Sequence, residues 1–177
     1  DDAGRFVYVQ DAYTISNDFP NAQGFSGSVL GAGSGLAGDD LNYIRNSVKI
    51  TVDAYDGTMR FYVADPSDPI IRAWQGVFPG IFEPLSAMPD GMLAHLRVPE
   101  ELFNVQSNMF GRYHVTQTLT FFNNTDRWTI PDVQTNEQSL PSEAYYVVMR
   151  MPEQNEVEFL LLQPMIAQNR PNMIAWV

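Results

Sequence analysis

The sequence predicts an α+β fold, a mainly antiparallel sheet with a central helical insertion. Three observations carry that prediction. Strand-like text flanks an Asp-Gly pair at 56–57, apolar residues recur at helical spacing in several segments between 68 and 122, and β-rich text returns after residue 144.

Taken in order, "RFVYVQDAYTI" (5–15) reads as a strand from its aromatic and β-branched residues. Residues 16–40 hold six glycines and no sustained periodicity, so they read as a long loop. Their "GAGSG" is neither a dinucleotide fingerprint nor a phosphate loop, because no G-x-G-x-x-G or G-x-x-x-x-G-K-[ST] is present. Val48, Ile50 and Val52 then alternate with Lys49, Thr51 and Asp53, the period of a half-buried strand. Asp56-Gly57 predicts a type I′ hairpin joining 46–55 to 58–64. Asp68 as N-cap and Pro69 at the first position open a helix whose apolar face is Ile70, Ile71, Trp74, Val77 and Phe78. Pro79-Gly80 ends it. A weaker helix follows at 88–96, and a stronger one opens at Pro99 with Glu100 and Glu101 in its first turn. Leu102, Val105, Met109 and Tyr113 share one side of it, and a short helical turn follows near 117–122. Residues 123–143 read as loop, and 144–151, 157–167 and 172–177 as strands expected to join the early hairpin in one sheet with helices on one face.

The 177 residues suit a single soluble domain with a real core. The first residues, "DDAGRF", lack an initiator Met and a leader, and the last, "NMIAWV", stop inside an apolar strand, so a fragment of a larger protein is expected. A net charge of −11 repels phosphate backbones and anionic headgroups, which argues against nucleic acid as a partner. Nine of the ten bases are Arg and Lys49 is the single lysine, a bias toward planar pairing with carboxylates or a codon preference. With no cysteine, disulfides, zinc–thiolate sites and Cys nucleophiles are all excluded.

Complete catalytic patterns are missing. His95 and His114 do not form H-E-x-x-H, although a loose set with Glu101 is conceivable. There is no G-x-S-x-G. Acids pair at 39–40, 53 with 56, 65 with 68, and 100–101, and paired carboxylates can split acid and base roles when held at a set separation. Asp53 and Asp56 beside Gly57 are the candidate metal ligands, for calcium, though the EF-hand pattern is absent and no cofactor is required. The turn accounts for Asp56 and the cap for Asp68. Arg45, Asn46 and Asp53 are left without a structural role and stand as candidate binding residues.

"DAYT" (11–14), "NYIRNSVKITVDAYDGT" (42–58), "AHLRVPEELFNVQ" (94–106), "YHVT" (113–116) and "NMIAWV" (172–177) together resemble uncharacterised protein family 0182, large multi-span bacterial membrane proteins. The resemblance covers nearly the whole chain in order, apart from the Gly-rich 21–40 segment; Val98 stands where a Tyr is expected before the Pro. It implies a piece of the extracytoplasmic portion of a polytopic protein of the cell membrane, and carries over no catalytic or ligand residues. The resulting expectation is a non-catalytic domain, binding or scaffolding at the cell envelope. Its partners would be the rest of the parent membrane protein and other envelope proteins. The alternative is a carboxylate-based hydrolase acting on an envelope polymer.

Overall fold

A computed structural model describes residues 4–30, 35–36, 38, 40–134, 139–152, 154–170 and 172–177. They fall into two compact units, Asp1–Leu102 and Phe103–Val177. The fold is α+β, with mostly antiparallel sheets and a few helices.

In the first unit, β1 (Val7–Ser16) is followed by two short paired strands, β2 (Phe25–Ser26) and β3 (Asp40–Leu41). The part of the Gly-rich segment at 31–34, 37 and 39 lies outside the described residues. The long strand β4 (Tyr43–Asp53) pairs antiparallel with β1 on one side and with β5 (Met59–Val63) on the other. Helix α1 (Pro69–Val77) then carries the chain to β6 (Phe82–Pro84), which pairs with β5 in parallel. A helical crossover is what a parallel neighbour requires. The sheet order is β1-β4-β5-β6. The short helix α2 (Asp90–Leu93) follows, and α3 (Glu100–Tyr113) begins at the boundary between the units.

The β4–β5 connection differs from the predicted two-residue turn. Pairing ends at Val52 and Met59, and Gly57 is the loop residue with positive φ, at 73°. The Gly57 amide donates to the Asp53 carbonyl at 2.9 Å, so the bend spans one residue more than a β-turn. A type I′ turn needs positive φ at both centres, and here Asp56 does not supply it.

The core of this unit is Val48, Val63 and Ile71, with Ala12, Ile50, Phe61 and Phe82 packed against them. Val48 is fully buried while Ile50 and Val52 are half-buried, so burial fades along β4 toward the hairpin. The intervening Ser47, Lys49 and Thr51 are buried as well. The middle of β4 is therefore covered on both faces rather than being half-buried. In α1, Ile71 is buried and Ile70 partly so, but Trp74, Val77 and Phe78 are exposed, so the apolar face predicted from spacing is covered only at the start of the helix.

In the second unit, α3 is followed by α4 (Thr118–Asn123), closed by Asn124 in the left-handed region at φ 52°. Strands β7 (Trp128–Thr129), β8 (Asp132–Gln134), β9 (Ser139–Pro141), β10 (Tyr145–Met149), β11 (Glu158–Leu162), β12 (Pro164–Ala167) and β13 (Met173–Trp176) complete the chain. They pair as β8-β9, as β10-β11 and as β13-β12-β7. Among the described residues the late strands bond to one another, in sheets separate from that of the early hairpin, which corrects the expectation of one shared sheet. Gly111 of α3 is buried against β7, where an added Cβ would lie 2.5 Å from the Trp128 carbonyl oxygen.

Candidate functional site

The sequence-nominated residues occupy two separate ends of β4. Arg45 and Asn46 lie near its start and Asp53 closes it. Seven residues of strand at about 3.3 Å each separate Asn46 from Asp53 by roughly 23 Å. They do not form one site.

At the hairpin end, Arg5 grips Asp53 with two bonds, Nε to Oδ2 at 2.8 Å and Nη2 to Oδ1 at 2.7 Å. The same guanidinium reaches Asp56 Oδ2 at 3.1 Å and lies 5.0 Å from the Tyr55 ring centroid. Asp53 also accepts the Tyr55 and Asp56 amides, and Asp56 accepts the Thr58 amide at 2.9 Å. The Arg5 bond first, then the Tyr55 amide, holds the Asp53 carboxyl down at about 2. Asp56 is also lowered, chiefly by the Thr58 amide. Asp53 therefore has a structural role that the sequence did not disclose: it closes the bend and ties the chain's beginning to it. The side-chain oxygens nominated for calcium are taken up by a guanidinium and by backbone amides.

At the other end, the Asn46 side chain donates to the Ala12 carbonyl at 3.3 Å, beside the register shift between Ala12 and Thr14. Such bulges leave backbone groups needing new partners, and Asn46 supplies one. Arg45 is exposed, with its guanidinium 5.8 Å from the Tyr43 ring centroid.

The densest polar construction lies at this same end of β4, around Asp68. Its side chain is 2% exposed and caps α1, accepting the Ile70 amide at 3.0 Å and the Ile71 amide at 3.3 Å. Three hydroxyls converge on the same carboxylate at 2.6 Å each: Thr14 and Ser47 on Oδ2, Tyr43 on Oδ1. Burial pushes its pKa up, but the hydroxyls of Ser47, Thr14 and Tyr43 and the Ile70 amide outweigh it and hold the group at about 2. The Tyr43 phenol moves the other way, raised by burial and then by the bond to Asp68. An ionised carboxylate saturated by five donors is a brace, with no lone pair turned toward a substrate proton.

A second network crosses from β1 and β4 to Arg97, before α3, and to Glu101 in its first turn. Lys49 pairs with its cross-strand neighbour Asp11 and donates to the Arg97 carbonyl at 3.2 Å. The Tyr13 hydroxyl donates to Glu101 Oε2 at 2.9 Å, and burial followed by that bond drives the phenol's pKa well up. Tyr13 stays protonated and Lys49 is sealed at 6% exposure, so neither is set up as a base or nucleophile.

Each histidine ring places Nδ1 near the carbonyl four residues upstream: His95 at 2.6 Å from Gly91, His114 at 3.0 Å from Phe110. His114 also stacks on Trp128 with centroids 3.8 Å apart. Among the described residues, no three His, Cys, Asp or Glu side chains gather as a metal site. No helix among them is long and apolar enough to cross a membrane.

Sequence reasoning missed most of the residues that build these networks: Asp11, Tyr13, Thr14, Tyr43, Ser47 and Lys49; Glu101 entered it only in a loose set with the histidines and as one of an acid pair, without its partner Tyr13. Their signal was present in another form, since "DAYT", "NYIRNSVK" and "VPEE" are parts of the strings on which the resemblance rests. The fold and these side chains define an α+β module braced internally by buried polar networks. The chain belongs to the uncharacterised protein family UPF0182, whose model matches residues 1–177. It is 42% identical over 176 residues to a UPF0182 protein of Desulforamulus reducens, covering 98% of this chain and 18% of that protein. A UPF0182 protein of Salinibacter ruber is 43% identical over 175 residues, with 98% and 18% covered. The chain thus spans about 18% of the length of these relatives. No solved structure matches it.

Proposed function

We propose that the chain is a non-catalytic extracytoplasmic module of a longer, polytopic membrane protein, binding or scaffolding at the cell envelope. The observation that carries the non-catalytic reading is the engagement of the nominated groups. Asp53 and Asp56 are held by Arg5 and loop amides, Asp68 by five donors, and Glu101 by Tyr13. Family membership and the much greater length of the relatives support a modular role within a larger polypeptide. The resemblance to multi-span proteins is what supports placing it outside the membrane.

The test is a side-by-side assay of the protein against isolated envelope polymers and detergent-solubilised envelope proteins. The reading expects specific retention of envelope proteins and no release of polymer fragments. Turnover of an envelope polymer, abolished by Asp53→Asn or Asp56→Asn, would establish the hydrolase instead.

A further inference from the structure

Residues 72–81, the outer part of α1 and the turn after it, are all exposed. Arg72 is the single charge between Pro69 and Phe82, in a chain whose net charge is −11. Trp74, Val77 and Phe78 recur at i, i+3 and i+4 at the end of α1 and are 48%, 62% and 45% exposed; Ile81, in the turn that follows, is 47% exposed. The Trp74 and Phe78 rings stack with centroids 5.7 Å apart and planes 13° from parallel. The base of the helix is anchored by the Asp68 cap and by buried Ile71, so the apolar ridge projects from a fixed root. An amphipathic helix normally buries such a stripe.

We infer that this ridge seats in an apolar groove of the same polypeptide outside residues 1–177, with Arg72 at the rim facing a carboxylate. The inference rests on the reading of the chain as a docking module and names its partner. Two observations select that occupant. Relatives run far beyond the matched span, which is 18% of their length. The four side chains expose on the order of 400 Å², about half of the roughly 800 Å² per partner that a free-standing interface buries. A contact that small is sustained within one polypeptide, where the effective concentration reaches the millimolar range. A second copy meeting it through the same ridge would fall short of that area, and anionic lipid is disfavoured by the chain's charge.

The test places p-benzoylphenylalanine at position 78 of the full-length protein and maps its photo-crosslinks by mass spectrometry. Crosslinks to the same polypeptide outside this span are expected. Crosslinks to lipid, to a second copy or to another protein, or none at all, would overturn the inference. In parallel, tryptic cleavage after Arg72 in the full-length protein should accelerate about tenfold in Trp74→Ser/Phe78→Ser. Cleavage after Arg60, within β5 of the same unit, serves as the folding reference and should stay unchanged. Equal cleavage after Arg72 in both proteins would count against the seat. Enzymatic turnover would sink the docking-module reading while leaving an internal crosslink standing; a lipid crosslink would do the reverse.

Discussion

Asp68→Asn removes one charge from the most heavily bonded side chain in the first unit and changes its shape least. Hydrogen bonds hold Asp68 at about 2 in the folded chain against 3.8 ordinarily, a difference worth roughly 2 kcal/mol. The folded value is the lower one, so this stabilisation is complete above the unfolded value and disappears as pH falls from about 4 through about 2. Asn is a good helix cap, so the cap itself survives. Its amide nitrogen, however, must replace one acceptor oxygen facing Thr14 and Ser47, or Tyr43. Hydrogen bonds to charged groups contribute about 1.5–3 kcal/mol each, so the variant should lose about 2–4 kcal/mol at neutral pH. Urea denaturation of both proteins at pH 7 and at pH 2 measures this. The gap between them should narrow by about 2 kcal/mol at pH 2, because the native carboxylate is then half protonated. A penalty below about 0.5 kcal/mol at pH 7, or one equal at both pH values, would refute the picture of an ionised brace.

Gly111→Ala should destabilise by about 1–3 kcal/mol despite the better helix propensity of Ala, because its Cβ would meet the Trp128 carbonyl at 2.5 Å. Gly76→Ala, where a Cβ meets nothing within 4 Å, should raise stability by about 0.5–1 kcal/mol; thermal melts of the two variants give opposite signs. Lys49→Met strands Asp11 and should cost about 3 kcal/mol, with partial recovery in Lys49→Met/Asp11→Asn, read from denaturant midpoints. Added calcium or EDTA should leave the melting temperature unchanged, since Arg5 and amides already occupy Asp53 and Asp56; a rise with calcium would restore the metal reading.

The strands and caps that were legible in the sequence were those governed by local chemistry. Alternation at Val48, Ile50 and Val52 marked β4, and Asp68-Pro69 marked the start of α1 down to the capping bonds. Partner choice was not legible, because a period of two says which residues share a face and not which strand lies alongside. Hence the sequence marks the late strands as strands but not the sheets they belong to. The spacing of Trp74 and Phe78 registers an apolar face and is blind to what covers it, and both are exposed. The Asp68 cluster was invisible for a related reason. Thr14, Tyr43 and Ser47 are ordinary strand residues that converge through the β1–β4 register and its shift after Ala12. Asp53 and Asn46 looked functionally free since their partners, Arg5 and the Ala12 carbonyl, are distant in sequence.

On the proposed function, this module stands outside the membrane as part of a longer protein. The chain has no cysteine, so Ser86→Cys, at an exposed position, is a clean reporter once cysteines elsewhere in the full-length protein are replaced. Intact cells treated with a membrane-impermeant maleimide should show labelling equal to that of lysed cells. Labelling only after lysis would contradict the account.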